Sequence, residues 1–183
     1  RSSFAWPKPS GISTTGKKAA VVGFGDIGRA TVKRLLAFDV DVIAYDPAFS
    51  PVDGLAVEHA SWPDRLDEAD YLIFVCPLNG HTRGMFSEEL LPSLKPGVRV
   101  INVSRGAIVE EAALVKGLER KIVHSAAFDV YENEPLPKDS PLRAFDRCIL
   151  GSHNGSNTVD AVRRVSAIAI EKLAEYLAGP RDS

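Results

Sequence analysis

The stretch Gly23-Phe24-Gly25-Asp26-Ile27-Gly28 sets three glycines at G-x-G-x-x-G spacing. That spacing suits a strand-to-helix turn that receives a pyrophosphate. The first glycine permits the turn, the second lets a phosphate approach the backbone, and the third lets the helix pack on the strand. The opening turn of the helix offers N–H groups and positive dipole character, so Asp26 and Ile27 join the glycines as candidate contacts. Asp26 carries the wrong charge for a phosphate, and its side chain is expected to face solvent. A second carboxylate, Asp46, closes the next apolar run just before Pro47. There it can accept hydrogen bonds from adenosine ribose hydroxyls and repel a 2′-phosphate, which favours NAD over NADP. Taken singly, the glycines could form a tight turn without a ligand, and Asp46 could be a turn residue before proline. Their common register points to a dinucleotide site.

Such a turn needs a strand before it and a helix after it. Ala19-Ala20-Val21-Val22 is a short apolar run of strand length. Ile27 to Phe38 reads as a helix in which Ile27, Val32, Leu35 and Leu36 can form an inner stripe. Further strands are expected at Asp41–Tyr45, weakly near Ala56–Glu58, and at Tyr71–Val75, where Cys76-Pro77 stops the run. A helix is expected around Asp64–Glu68, and a short one at Ser87–Leu91 with Ser87 as its cap. Val98–Val103 reads as a strand and Glu110–Leu118 as a helix with acids in its first turn. Ser125–Asp129 and Cys148–Leu150 are short strands. The last helix, Thr158–Leu177, repeats Val162, Val165, Ile168, Ala169, Leu173 and Leu177 at three- and four-residue steps. Strands alternating with helices imply an α/β fold, a doubly wound parallel sheet that binds ligands beyond the C-terminal strand ends.

Composition narrows the function classes. The 183 residues are 45% hydrophobic and 25% charged, as in an ordinary globular domain. A net charge of −2 implies no broad basic face for nucleic acid or an acidic membrane. No run of about 18 apolar residues is present, so no transmembrane helix is expected. No secretory signal is visible either. The two cysteines, Cys76 and Cys148, do not form a metal-ligand spacing, and no metal is expected. Free thiols fit a reducing cytoplasm. Residues 1–16, with Trp6, Pro7, Pro9 and Gly11, read as an extended linker, 17–178 as the domain and 179–183 as a tail.

Three more segments follow expected strands, and so share the ligand-binding edge. They are Asn102-Val103-Ser104-Arg105-Gly106, Asp129-Val130-Tyr131-Glu132-Asn133-Glu134-Pro135 and Gly151-Ser152-His153-Asn154. Together with the glycine turn, YDP, CPLNGHTRGMF, LKPGVRVINVSRG, AAFDVYENEP and ILGSHNGSNT agree in order and spacing with one family. From Gly16 to about Leu177 the chain resembles the NAD-binding domain of the D-isomer-specific 2-hydroxyacid dehydrogenases. Within that family it is similar to the phosphoglycerate-dehydrogenase-like branch.

The resemblance implies a Rossmann-type domain with NAD as cofactor, acting on a 2-hydroxy acid/2-keto acid pair of phosphoglycerate or hydroxypyruvate type. It implies that Arg105 grips the substrate carboxylate and polarises the keto oxygen, which a planar charged fork suits. His153 would be the general acid and base, and Glu134 would hold its other ring nitrogen, with Glu132 a close decoy. Asp129 would bind the nicotinamide carboxamide. Cys76, Pro77 and Thr82 would line the cofactor, and Val103, Ser104, Arg105 and His153 would border its nicotinamide end. Where the family commonly has proline before the histidine and an aliphatic residue after it, this chain has Ser152 and Asn154. Asp26 stands where the family commonly has a basic residue. Family members also have a substrate-binding domain. The chain is therefore expected to be one wall of a cleft, largely inactive alone, with a homodimer as the expected assembly. The competing reading is an NAD-sensing module without catalysis, similar to corepressors that share the fold.

Overall fold

In the first strand Ala20 and Val22 point to one side and Ala19 and Val21 to the other, and none of the four is more than 2% exposed. A strand apolar on both faces must be covered on both. The computed structural model, which describes residues 10–179, contains such a sheet. Its strands are β1 (Lys18–Val22), β2 (Asp41–Tyr45), β3 (Glu58–His59), β4 (Tyr71–Phe74), β5 (Val98–Asn102), β6 (Val123–Phe128) and β7 (Cys148–Leu150). They pair in the order β3-β2-β1-β4-β5-β6-β7, all parallel. The helices are α1 (Asp26–Ala37), α2 (Glu111–Glu119) and α3 (Val159–Ala178). Val32 of α1 joins Val21, Val42 and Ile73 in one core, while Leu114 and Leu118 of α2 join Val22, Leu72 and Val100 in the other. Because neighbouring strand residues face opposite ways, α1 and α2 cover opposite faces of the sheet.

Register places the site. Tyr45, Val22, Phe74, Asn102, Phe128 and Leu150 are paired across six strands in a single row. The next residue on β2, β1, β5, β6 and β7 is therefore Asp46, Gly23, Val103, Asp129 and Gly151, and Cys76 follows two residues after Phe74. All of these lie on the C-terminal edge, and the strand order reverses between β1 and β4, where ligands bind in this architecture.

Several elements differ from the sequence expectation. Ile27 is 64% exposed and takes no part in the inner stripe of α1. The helix expected at Asp64–Glu68 is a single 3₁₀ turn, Leu66–Glu68. The one expected at Ser87–Leu91 is a 3₁₀ segment, Glu88–Ser93, with Pro92 inside it. Segments this short cannot offset the cost of nucleating an α-helix. Ser87 does not cap, because its hydroxyl donates to Glu89 at 2.6 Å. The weak third strand lies at Glu58–His59, displaced from Ala56–Glu58. α3 forms as expected, with Thr158 Oγ1 accepting from Ala161 N at 3.1 Å, but none of its residues is buried. Its periodicity identifies residues that share a face without supplying a surface to pack on.

Before β1, the Thr14 hydroxyl donates to Phe38 O at 3.2 Å and Gly16 N to Asp39 O at 3.0 Å, tying the chain to the end of α1. Trp6, Pro7 and Pro9 of the expected linker, and residues 180–183 of the tail, lie outside the described residues. Among the described residues no helix is long and apolar enough to cross a membrane, and no cluster of three His, Cys, Asp or Glu could hold a metal ion.

Candidate active site

The glycine turn follows from sterics. Gly23 sits at φ +101°, and a Cβ there would lie 2.8 Å from Cys76 N and Cα. A Cβ on Gly28 would lie 2.1 Å from the Gly23 carbonyl oxygen. A Cβ on Gly25 would meet nothing within 4 Å, which leaves open space at the mouth of α1. Gly25 is the N-cap residue, and no side chain caps this helix. Its first turn therefore presents backbone N–H groups and positive dipole to that space, an environment fitted to a pyrophosphate. Asp46 closes the other side, with Oδ2 accepting from Phe24 N at 2.7 Å and Oδ1 from Ala48 N at 2.8 Å. The carboxylate thus braces the turn. Ile27 at 64% and Val103 at 49% exposure offer apolar surface for a flat ring on the same edge. These features fit a dinucleotide.

Other expected cofactor residues play local roles. Asp26 is exposed, as its charge requires. Cys76 is buried beneath Gly23, and burial pushes its thiol up to about 11, so it packs as a neutral group. The Thr82 hydroxyl donates to Pro77 O at 2.7 Å and accepts from Asn79 N at 2.8 Å, fastening the loop after β4.

The loop after β5 is organised by Asn102, a residue the sequence reading gave no role. It is fully buried, Nδ2 donates to Arg105 O at 3.0 Å, and Oδ1 accepts from Ser104 N at 3.1 Å and Ser104 Oγ at 2.8 Å. Its amide groups are thus spent on the turn that carries Arg105. The Arg105 side chain is exposed, and one Nη donates to Ser104 O at 2.7 Å. Gly106 follows for a steric reason: a Cβ there would lie 1.8 Å from the Tyr131 carbonyl. The Arg105 loop can therefore press against the loop after β6.

That second loop and the third form a pair. His153 Nδ1 lies 2.7 Å from Glu134 Oε2. A carboxylate only accepts, so Nδ1 carries the proton and Nε2 is left for other chemistry. Glu134 Oε1 accepts from Tyr131 N at 2.9 Å. Both contacts, the histidine first, hold the Glu134 carboxyl below the usual range. Glu132 is turned elsewhere, accepting from Glu111 N at 2.8 Å at the start of α2. The decoy is a helix cap, and Glu134 is the partner of His153.

Asp129, expected to meet the nicotinamide carboxamide, also fastens the histidine loop. Its carbonyl accepts from His153 N at 2.7 Å, and its carboxylate accepts from Asn154 N at 3.2 Å and Gly155 N at 2.8 Å. Burial opposes ionisation of this carboxyl, but those N–H donors and the neighbouring His153 outweigh it and lower its pKa. The residue anchors the histidine loop, where His153 takes the left-handed φ of +56°. Tyr131, also without a role in the sequence reading, donates its hydroxyl toward Phe128 O at 3.0 Å and Gly151 O at 2.9 Å. Beside these groups lies a cavity of about 530 Å³ bordered by Tyr131, Leu136, Arg143, Leu150 and His153. Asn102 was signalled only by its place at a strand end, and no local pattern marks the Tyr131 hydroxyl.

Comparison with known proteins follows the same lines. Residues 2–155 match the family described as D-isomer specific 2-hydroxyacid dehydrogenase, NAD binding domain. The chain is 36% identical over 172 residues to D-3-phosphoglycerate dehydrogenase 2, chloroplastic, of Arabidopsis thaliana, covering 92% of this chain and 27% of that protein. It is 35% identical over 183 residues to a glyoxylate reductase of Thermofilum pendens, covering 95% and 54%. Among solved structures, a D-lactate dehydrogenase with NAD+ from Lactobacillus jensenii superposes with a TM-score of 0.86 at 25% identity, covering 96% and 58%. The chain thus spans between 27% and 58% of the length of these relatives. The aligned strand ends, the open glycine turn and the matched residues agree, and the chain belongs to the NAD-binding domain family of the D-isomer specific 2-hydroxyacid dehydrogenases.

Proposed function

We propose that this chain is the nucleotide-binding half of an NAD-dependent D-2-hydroxyacid dehydrogenase, and that it supplies the proton-transfer and carboxylate-gripping groups of the reaction. The observation that carries this reading is the 2.7 Å His153–Glu134 contact on the sheet edge that also holds the glycine turn. When bound, NADH supplies the hydride to the keto carbon. His153 delivers the Nε2 proton to the keto oxygen, and in the reverse direction takes it from the hydroxyl. Glu134 fixes the ring orientation and stabilises the imidazolium. Arg105 offers a planar fork to the substrate carboxylate and polarises the carbonyl. The built histidine–carboxylate pair supports an enzyme over a module that only senses the cofactor.

The relatives named as phosphoglycerate dehydrogenase and glyoxylate reductase support a short 2-keto acid as substrate, of phosphoglycerate or hydroxypyruvate type. Asp46 supports NAD over NADP. The test is NADH consumption by the full-length protein across a panel of short 2-keto acids, compared with the 183-residue chain alone. Turnover by the full-length protein and little by the chain is expected, because one wall of a cleft neither orients substrate nor excludes water. Absence of turnover on every 2-keto acid, with NADH bound, would count against the enzyme.

A further inference from the structure

Arg105, Glu134 and His153 hang from three different strand ends, yet Tyr131 touches all three segments. The Tyr131 N–H donates to Glu134 Oε1 at 2.9 Å, leaving Oε2 for His153. The Tyr131 backbone carbonyl fills the space where Gly106 has no Cβ, directly after Arg105. Its hydroxyl reaches Gly151 O at 2.9 Å and Phe128 O at 3.0 Å, clasping the ends of β7 and β6. Tyr131 is 7% exposed and sits in the larger core. Burial raises the phenol pKa, so the hydroxyl stays a donor.

We infer that Tyr131 is a positioning residue whose hydroxyl holds His153 in reach of Glu134. His153 lies between two clamps. On one side Asp129 holds Asn154 and Gly155, and on the other Tyr131 holds Gly151. The left-handed backbone at His153 is of a kind that persists where its surroundings over-determine it. Without the hydroxyl, Gly151 keeps only its N–H bond to Phe128 O at 2.7 Å and His153 its N–H bond to Asp129 O at 2.7 Å, so the segment gains freedom to turn the imidazole from Glu134 while the ring of Tyr131 still packs. The inference rests on the reading of His153 as the proton donor.

Tyr131→Phe in the full-length enzyme tests it, because phenylalanine keeps the ring and the backbone N–H. The variant should lose about fivefold in kcat, the size of one ordinary hydrogen bond. NADH affinity should be unchanged, and the low-field Nδ1 proton resonance of His153 should broaden or vanish. Glu134→Gln and His153→Ala serve as references. If Tyr131→Phe keeps both kcat and the resonance while Glu134→Gln impairs the enzyme, the positioning role is overturned and the catalytic pair stands. A lowered melting temperature with kcat and resonance intact overturns it as well, since the hydroxyl would then be structural only. If His153→Ala and Glu134→Gln both retain normal kcat, the reading of the pair itself fails.

Discussion

Around β1 and β2 the sheet edge is made of backbone. Gly23, Gly25 and Gly28 act by lacking side chains, and the first turn of α1 offers N–H groups without a side-chain cap. Around β5, β6 and β7 the same edge is made of side chains held by other side chains and by neighbouring loops. Asn102 shapes the Arg105 turn, Glu134 meets His153, and Asp129 and Tyr131 fasten the histidine segment from both sides. The first half depends on steric room, between Gly28 and Gly23 within the turn and between Gly23 and Cys76 beside it. The second depends on loops far apart in sequence arriving together, so a change in any one of them is felt by the others.

Removing the proposed proton donor should give the largest effect. His153→Ala in the full-length enzyme is expected to lower kcat about 10²–10⁴-fold. NADH affinity, set on the backbone half, should barely move. Glu134→Gln should cost less and shift the acid limb of the pH profile of kcat, because the carboxyl that His153 holds below the usual range is no longer there to titrate. A matching shift from Glu132→Gln would reverse the assignment of the two acids.

The backbone half can be split by two alanines. Gly28→Ala puts a methyl 2.1 Å from the Gly23 carbonyl oxygen, so the turn must open. Overpacking of this kind costs about 1–3 kcal/mol, or roughly 2–12 °C in melting temperature for a chain of this size. Gly25→Ala meets nothing within 4 Å and should melt like the parent while binding NADH much more weakly. Normal NADH binding by Gly25→Ala would mean that the open space is not the phosphate site.

A smaller effect is expected from Asp46→Ala, read by calorimetric titration of NADH and NADPH. Loss of the carboxylate removes ribose acceptors and the repulsion of a 2′-phosphate, so the preference for NADH should narrow about tenfold, the worth of one charged hydrogen bond. Tighter NADPH than NADH binding by the parent chain would contradict the role given to Asp46.

The smallest effect belongs to neither half. Glu68 pairs with Arg65 at 2.6 Å and with Lys18, the first residue of β1, at 2.7 Å. These partners, Arg65 first, lower its pKa from 4.5 to about 2. A depressed carboxylate contributes stability above its unfolded value and loses it as pH falls through its folded value. The contribution should therefore be complete above pH 4.5 and fade toward pH 2. Glu68→Gln should flatten the acid limb of stability against pH, measured by urea melts, with NADH binding at neutral pH unchanged.

The parts legible in the sequence are those set by neighbours in the chain. Apolar runs located the central strands, because burial on both faces demands them. The glycine spacing located the turn, because Gly28 packs on the Gly23 carbonyl within it, while the limit that Cys76 sets on Gly23 required the folded sheet. Arg105, Glu134 and His153 were placed by motif order on strand ends, and register brings those ends into one row. Other features required the folded molecule. Glu132 and Glu134 are two residues apart and chemically alike, and what separates them is Glu111 N on one side and His153 on the other, both distant in sequence. Asp129 proved to be an anchor for residues 153–155, and Tyr131 a clasp between β6 and β7, because hydrogen bonds across strand ends leave no periodic trace in the chain. The apolar repeat of α3 likewise determined a helix and a face, but periodicity encodes which residues lie side by side, whereas burial depends on what tertiary structure sets against them.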